Sequence, residues 1–326
     1  MTRWIGAQCF FAAVLAFGGA AQAEVTLKAV SGLPKQVVYT EDGLRFLEKL
    51  NAAGKGVVQV RWMGGPEVIP ATEQAQALRN GVVDIVIAPA NYHWGTVPES
   101  AAIAGSDKAP WELRANGAVE LLQKHYERRL NAHYLGWLSS NVGFSVYLRE
   151  APKRTDAGLP DLQGVKLRSN PVYQDFFANL RATNVTIQTP EVYAALERGT
   201  VDGVGWPEIG IGDFNWDKFL RYRIDPPFYR SDMVVLVNDS TWKSLTPEAR
   251  ALIEKTIAAY ERESVAFFEA EKKRDAEKLK ARGVQRVSLD SAAADAYLAQ
   301  AYERIWTRMA KQVPEAAAEL KARFYR

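Results

Sequence analysis

The stretch "VKLRSNPVY", residues 165–173, brings together residue types that can hold an anion. Its pattern makes Arg168 the end of a strand, Asn170 the cap of a following helix, and Pro171 that helix's first residue, where proline's fixed φ fits. A guanidinium and the free amides of a helix amino end then meet at one point, which suits a carboxylate. The alternative for a strand-end arginine is a structural or solvated ion pair. Two more clusters follow strands: Trp206-Pro207-Glu208 and Asn91-Tyr92-His93-Trp94. Large aromatics at such ends can simply pack a core. A tryptophan beside polar groups at two equivalent ends also suits the facing walls of a cleft. Asn141 and Phe144, in "SSNVGFSVY", are further candidates near a crossing between the two halves.

Enzymatic constellations are mostly missing from the sequence. No HExxH, GxSxG, Walker loop or strand-to-helix GxGxxG occurs, so no catalytic residue is assigned. His93, His125 and His133 lack the spacing of metal ligands, and neither a metal ligand nor a cofactor is assigned. Lys and Arg total 41 against 38 Asp and Glu. That balance offers no global field for nucleic acid, and the densest basic stretch, "EKKRDAEKLKAR", alternates with acids like a solvated helix face.

The elements that have to position these residues are legible along the chain. With 326 residues, 48% of them hydrophobic and 24% charged, there is room for two cores of domain size. The first 23 residues carry Arg3, an apolar run from Cys9 to Phe17 and the ending Ala21-Gln22-Ala23. They read as an export signal cleaved after Ala23, too short to span a bilayer, with a membrane anchor as the alternative. Cys9, the only cysteine, falls inside it, which excludes disulfides from the mature chain.

Strands then alternate with helices through residue 89, and a loop carrying Pro and Trp (91–111) leads to a helix at about 112–129. The second half repeats this order, as expected of an α/β fold with largely parallel sheets. One block even repeats in sequence: "ALRNGVVDIVIAP" (77–89) and "ALERGTVDGVGWP" (195–207) agree at seven of thirteen positions, 118 residues apart. In each, a helix ends at a glycine and turns into a buried strand that stops at proline. From Thr246 to Arg282 no glycine interrupts a helical pattern with Thr246 as cap and Pro247 at its first position. Such a helix is about 50 Å long and would span both halves.

These features together resemble the extracytoplasmic solute-binding proteins of tripartite ATP-independent periplasmic (TRAP) transporters, the DctP type. The resemblance rests on a strand ending in K-x-R, on "PEVYAALERGTVDG", and on the long charged helix that follows. It implies a two-lobed periplasmic-binding-protein fold, type II-like, with a hinge. The first lobe would take 24–145 with roughly 236–262, and the second 146–235 with roughly 263–326. It implies further that a small organic acid is captured and delivered to a permease of small and large membrane subunits, with Arg168 holding the carboxylate. Some relatives hold a metal ion beside the acid, which Glu208 could serve. Two departures matter: Trp206 stands where many members have asparagine, and no arginine lies between Arg129 and Arg149, where many have a second one. A less polar pocket follows, for a bulky or aromatic monocarboxylate. A ligand sensor feeding a membrane receptor would use the same cleft, and an exported enzyme would need a nucleophile or acid–base pair not identified in the sequence.

Overall fold

A computed structural model describes residues 24–326; the expected leader and its cleavage after Ala23 lie outside the described residues. In chain order the elements are β1 (Val25–Ser31), α1 (Val38–Ala53), β2 (Val58–Gly64), α2 (Gln74–Arg79), β3 (Ile85–Pro89), α3 (Ala101–Ala104), α4 (Pro110–Ala115), α5 (Ala118–Leu130) and β4 (Ala132–Leu138). There follow β5 (Phe144–Leu148), the short pair β6 (Lys153–Arg154) and β7 (Pro160–Asp161), β8 (Lys166–Ser169), α6 (Gln174–Asn179), β9 (Thr183–Thr186), α7 (Val192–Glu197) and β10 (Gly203–Pro207). The chain ends with β11 (Tyr222–Phe228), β12 (Met233–Asn238), α8 (Asp239–Ser244), α9 (Pro247–Ala281), β13 (Gln285–Ser288), α10 (Ser291–Gln312) and α11 (Pro314–Phe324).

Two sheets form the cores of two lobes, ordered β2-β1-β3-β12-β4 and β13-β11-β5-β10-β8-β9. The repeated blocks occupy the same place in each. Gly81 and Gly199 both take positive φ, +71° and +68°, where a residue with a Cβ is strained. Asp84 and Asp202 each accept the amide of a lysine on the neighbouring parallel strand, Lys28 and Lys166, both at 2.8 Å. The sheets are mixed rather than largely parallel, because β12 runs antiparallel to β3 and β5 antiparallel to β10. Each of these two strands enters its sheet after a crossing from the other lobe, so no helical crossover sets its direction.

The crossings at 139–143 and 229–232 are tied together. Ser139 Oγ and Ser231 Oγ share a hydrogen bond of 2.8 Å, and the Ser231 amide donates to Val142 O at 2.7 Å. The long helix α9 is the third connection. Thr246 Oγ1 accepts the Ala249 amide, and Ile253, Ile257 and Tyr260 pack in the first core while Leu279 packs in the second. Two local expectations change. The helix expected at 112–129 is broken in two at Gly117 (φ +77°). The final helix, placed with the second lobe from sequence, packs instead on α3 and α5 beside the first sheet.

Candidate functional site

Strand β8 fixes Arg168 from both sides, through pairing with Val204 of β10 and Val185 of β9. The residue is only 4% exposed. Its Nε donates to Ile187 O (3.0 Å) and its Nη1 to Tyr173 Oη (2.8 Å), with longer contacts of 3.4 Å to Gly205 O and Thr189 Oγ1. The guanidinium also lies 5.8 Å from the Trp206 ring centroid. No carboxylate among the described residues comes within 4.0 Å of it. A buried cation held by neutral partners alone is an expensive arrangement, and an incoming anion relieves it.

The pocket around Arg168 lies where Pro89 and Pro207 end the two repeated strands. Because β12 and β5 are antiparallel, their first residues stand beside these ends: Met233 pairs with Pro89, and Phe144 with Pro207. Asn91 and Tyr92 close the first-lobe wall, and Trp206, Tyr173 and Thr189 the second. Gly205 admits the Tyr173 ring, since a Cβ there would stand 2.5 Å from it. The Tyr173 hydroxyl then donates to Gly205 O at 2.6 Å and accepts from Arg168. Trp206, also in the lining, is buried with its indole N–H unpartnered. The cavity measures about 40 Å3, room for only a few waters. A wider opening of about 510 Å3 continues outward past Leu33, Tyr92 and Thr189.

Of the residues singled out from sequence, Arg168, Asn170, Trp206, Asn91, Tyr92 and Phe144 line this pocket. Asn170 does so without capping a helix. Helix α6 begins at Gln174, and the Val172 amide is bonded to Asn170 Oδ1 while those of Tyr173 and Gln174 are bonded to Asn170 O. The free helix amides expected there are therefore already used. His93 turns away to bond Tyr126 Oη through Nε2 at 2.9 Å, and burial pushes its pKa down to about 3. Trp94 packs in a core beneath Arg308, 5.6 Å from its ring centroid. Glu208 and Asn141 belong to the crossings. Glu208 accepts from the Gly143 amide (3.1 Å) and faces Lys272, and Asn141 bonds Glu269 and Val265 O on α9. Glu208 is not in the pocket lining, and no cluster of three or more potential metal ligands occurs among the described residues.

Sequence reasoning missed Tyr173, Thr189, Ser231, Asp232 and Met233. Asp232 is 1% exposed, and its carboxylate accepts the Asn91 amide at 2.8 Å and the Asn91 side-chain NH2 at 3.1 and 3.2 Å. Burial pushes it up to about 6, against these two stabilising contacts. Its signal in the sequence is weak because it precedes a strand, whereas ligands in open α/β sheets gather beyond the carboxyl ends of strands. The antiparallel direction of β12 brings it to the pocket.

Two α/β lobes joined by three connections, with a buried guanidinium at the cleft between them, define a solute-binding protein of the periplasmic-binding type. Residues 31–312 match the bacterial extracellular solute-binding protein family 7, DctP, and the chain belongs to that family. A solute-binding protein of Roseobacter denitrificans is 22% identical over 307 residues, covering 90% of this chain and 92% of its own. Among solved structures, a TRAP transporter solute-binding protein of Bordetella bronchiseptica, with calcium and picolinate in its active site, superposes at TM-score 0.77. It is 20% identical, over 93% of this chain and 92% of that one. One from Desulfovibrio salexigens with bound orotic acid reaches 0.78 at 18% identity, over 92% and 97%. At such identities these structures speak for the fold.

Proposed function

We propose that this chain captures a small organic monocarboxylate by closure of its lobes and hands it to a two-subunit TRAP permease, without catalysing a reaction. One observation carries the reading: Arg168 is buried and has no carboxylate partner among the described residues, yet it lines a pocket between the lobes. It is also the only Lys or Arg in that lining. The aromatic walls, Phe144, Tyr173 and Trp206, favour a flat acid body over a polyol chain, and the small closed volume favours few heavy atoms. Ligands of related structures, picolinate and orotic acid, are acids of that shape. Contacts from both lobes to one ligand stabilise the closed form over the open one.

The test is a thermal-shift panel of organic acids, followed by calorimetry on each acid that shifts the transition. A charge-assisted contact contributes about 1.5–3 kcal/mol, so Arg168→Ala should weaken binding about 10- to 100-fold. Arg168→Lys should also lose affinity, because an ammonium cannot make two parallel bonds. Unchanged affinity in both variants would remove Arg168 from the binding site. Delivery is checked by uptake into proteoliposomes containing the permease, which should require this protein.

A further inference from the structure

Asp232 and Arg168 line the same pocket as buried, opposite charges that do not pair with each other. No cation among the described residues comes within 4.0 Å of Asp232, whose carboxylate accepts from the two donors of Asn91. A carboxylate offers about four lone-pair positions, so acceptor capacity remains. The Tyr92 and Tyr173 phenols lie in the field of both charges, which places the two ends within one small site.

We infer that Asp232 is a specificity-determining residue that accepts a hydrogen bond from the ligand, so that the ligand is a monocarboxylate also bearing an N–H, hydroxyl or ammonium donor. The inference rests on the carboxylate reading of Arg168 given above. A molecule with its anion at Arg168 and its donor at Asp232 satisfies both buried charges at once. A second carboxylate at the Asp232 end would meet like charge in a low-dielectric site, which excludes dicarboxylates. An acid with only acceptors at that end would leave the Asp232 oxygens without an added donor and set acceptor against acceptor.

The experiment compares matched acids by calorimetry, with EDTA throughout. Pyrrole-2-carboxylate and furan-2-carboxylate have nearly the same shape and differ by an N–H donor against an ether oxygen. Lactate against pyruvate and mandelate against phenylglyoxylate extend the comparison to hydroxyl donors. The donor member of each pair that binds should be favoured about 10-fold or more, the range of a hydrogen bond to a charged group. Asp232→Asn should shrink that preference to about threefold or less while acceptor-only acids bind as well as before or better. An asparagine oxygen still accepts from the Asn91 amide, and the wild-type comparison stands even if the variant fails to fold. Equal binding within pairs, with Arg168→Ala still weakening it about 10-fold or more, overturns the inference and leaves the carboxylate reading intact. A donor preference that appears only on adding calcium also overturns it, in favour of a bridging ion. If no acid of either series binds, the carboxylate reading falls and takes the inference with it.

Discussion

At the residue scale, the titrating groups of this protein divide by what burial does to them. His93 is held neutral, with its pKa near 3, and His133 is pushed down to about 4, both mainly by burial. Each protonates readily only in the unfolded chain, so each removes stability as pH falls below about 6.5. Asp42 and Asp275, raised to about 6 by burial, act in the opposite sense, favouring the folded state as pH falls from 6 toward 4. A difference measurement separates these effects. Urea denaturation of His93→Gln, which keeps a partner for Tyr126, should show a stability gain relative to wild type of about 2 kcal/mol on going from pH 6.5 to 5. Parallel pH curves for the two proteins would show that His93 is not held neutral by burial. The same scale explains why Arg168 could be found from sequence and its partners could not. A strand end and its charge are local, whereas Tyr173, Thr189 and Asp232 reach the guanidinium's pocket only through folding.

At the element scale, the repeated helix-strand block is a structural unit used twice. Its aspartates tie the start of each buried strand to the adjacent parallel strand, but their surroundings differ. Asp84 also accepts from Thr241 Oγ1 at 3.1 Å, whereas Asp202 has its amide contact in an exposed setting. Asp84→Ala should therefore destabilise more, about 2 kcal/mol against about 1 for Asp202→Ala, read from urea midpoints. The reverse order would deny the Thr241 contact any weight. Helix α9 starts where its local signals say, at Pro247 after the Thr246 cap, and Thr246→Ala should lower stability by about 1 kcal/mol. Helix α6 shows the limit of such signals. Asn-Pro resembles a helix start, but Asn170 uses its oxygens on the next three available amides and delays the helix to Gln174.

At the scale of the whole molecule, closure joins parts that share no local sequence signal. Helix α1 lacks a side-chain cap of its own, and its Val38 amide instead donates to Asp213 of the second lobe at 3.2 Å. Asp213 does not line the pocket, so Asp213→Ala tests closure apart from ligand contact. One exposed hydrogen bond lost from the closed state should weaken apparent affinity about two- to fivefold, with scattering curves shifted toward the open form. A full-affinity variant with unchanged scattering would mean that this contact does not bias closure. No described helix is long and apolar enough to cross a membrane. If the leader is cleaved after Ala23, sequencing of the mature chain should begin at Glu24.

Local sequence signals suffice for the alternation of strands and helices, the doubled block, the long capped helix and the strand-end position of Arg168. Those features depend on periodicity, caps and glycine conformations, which act over a few residues. The antiparallel direction of β5 and β12 after they cross between the lobes follows from tertiary packing instead. That direction places Phe144 and Asp232 opposite strand ends just over 60 and 140 residues away, at Pro207 and near Asn91. It also drew Glu208, Asn141, His93 and Trp94 into crossings and cores. Their destinations depend on which surfaces the folded lobes bury, and no short-range pattern encodes that.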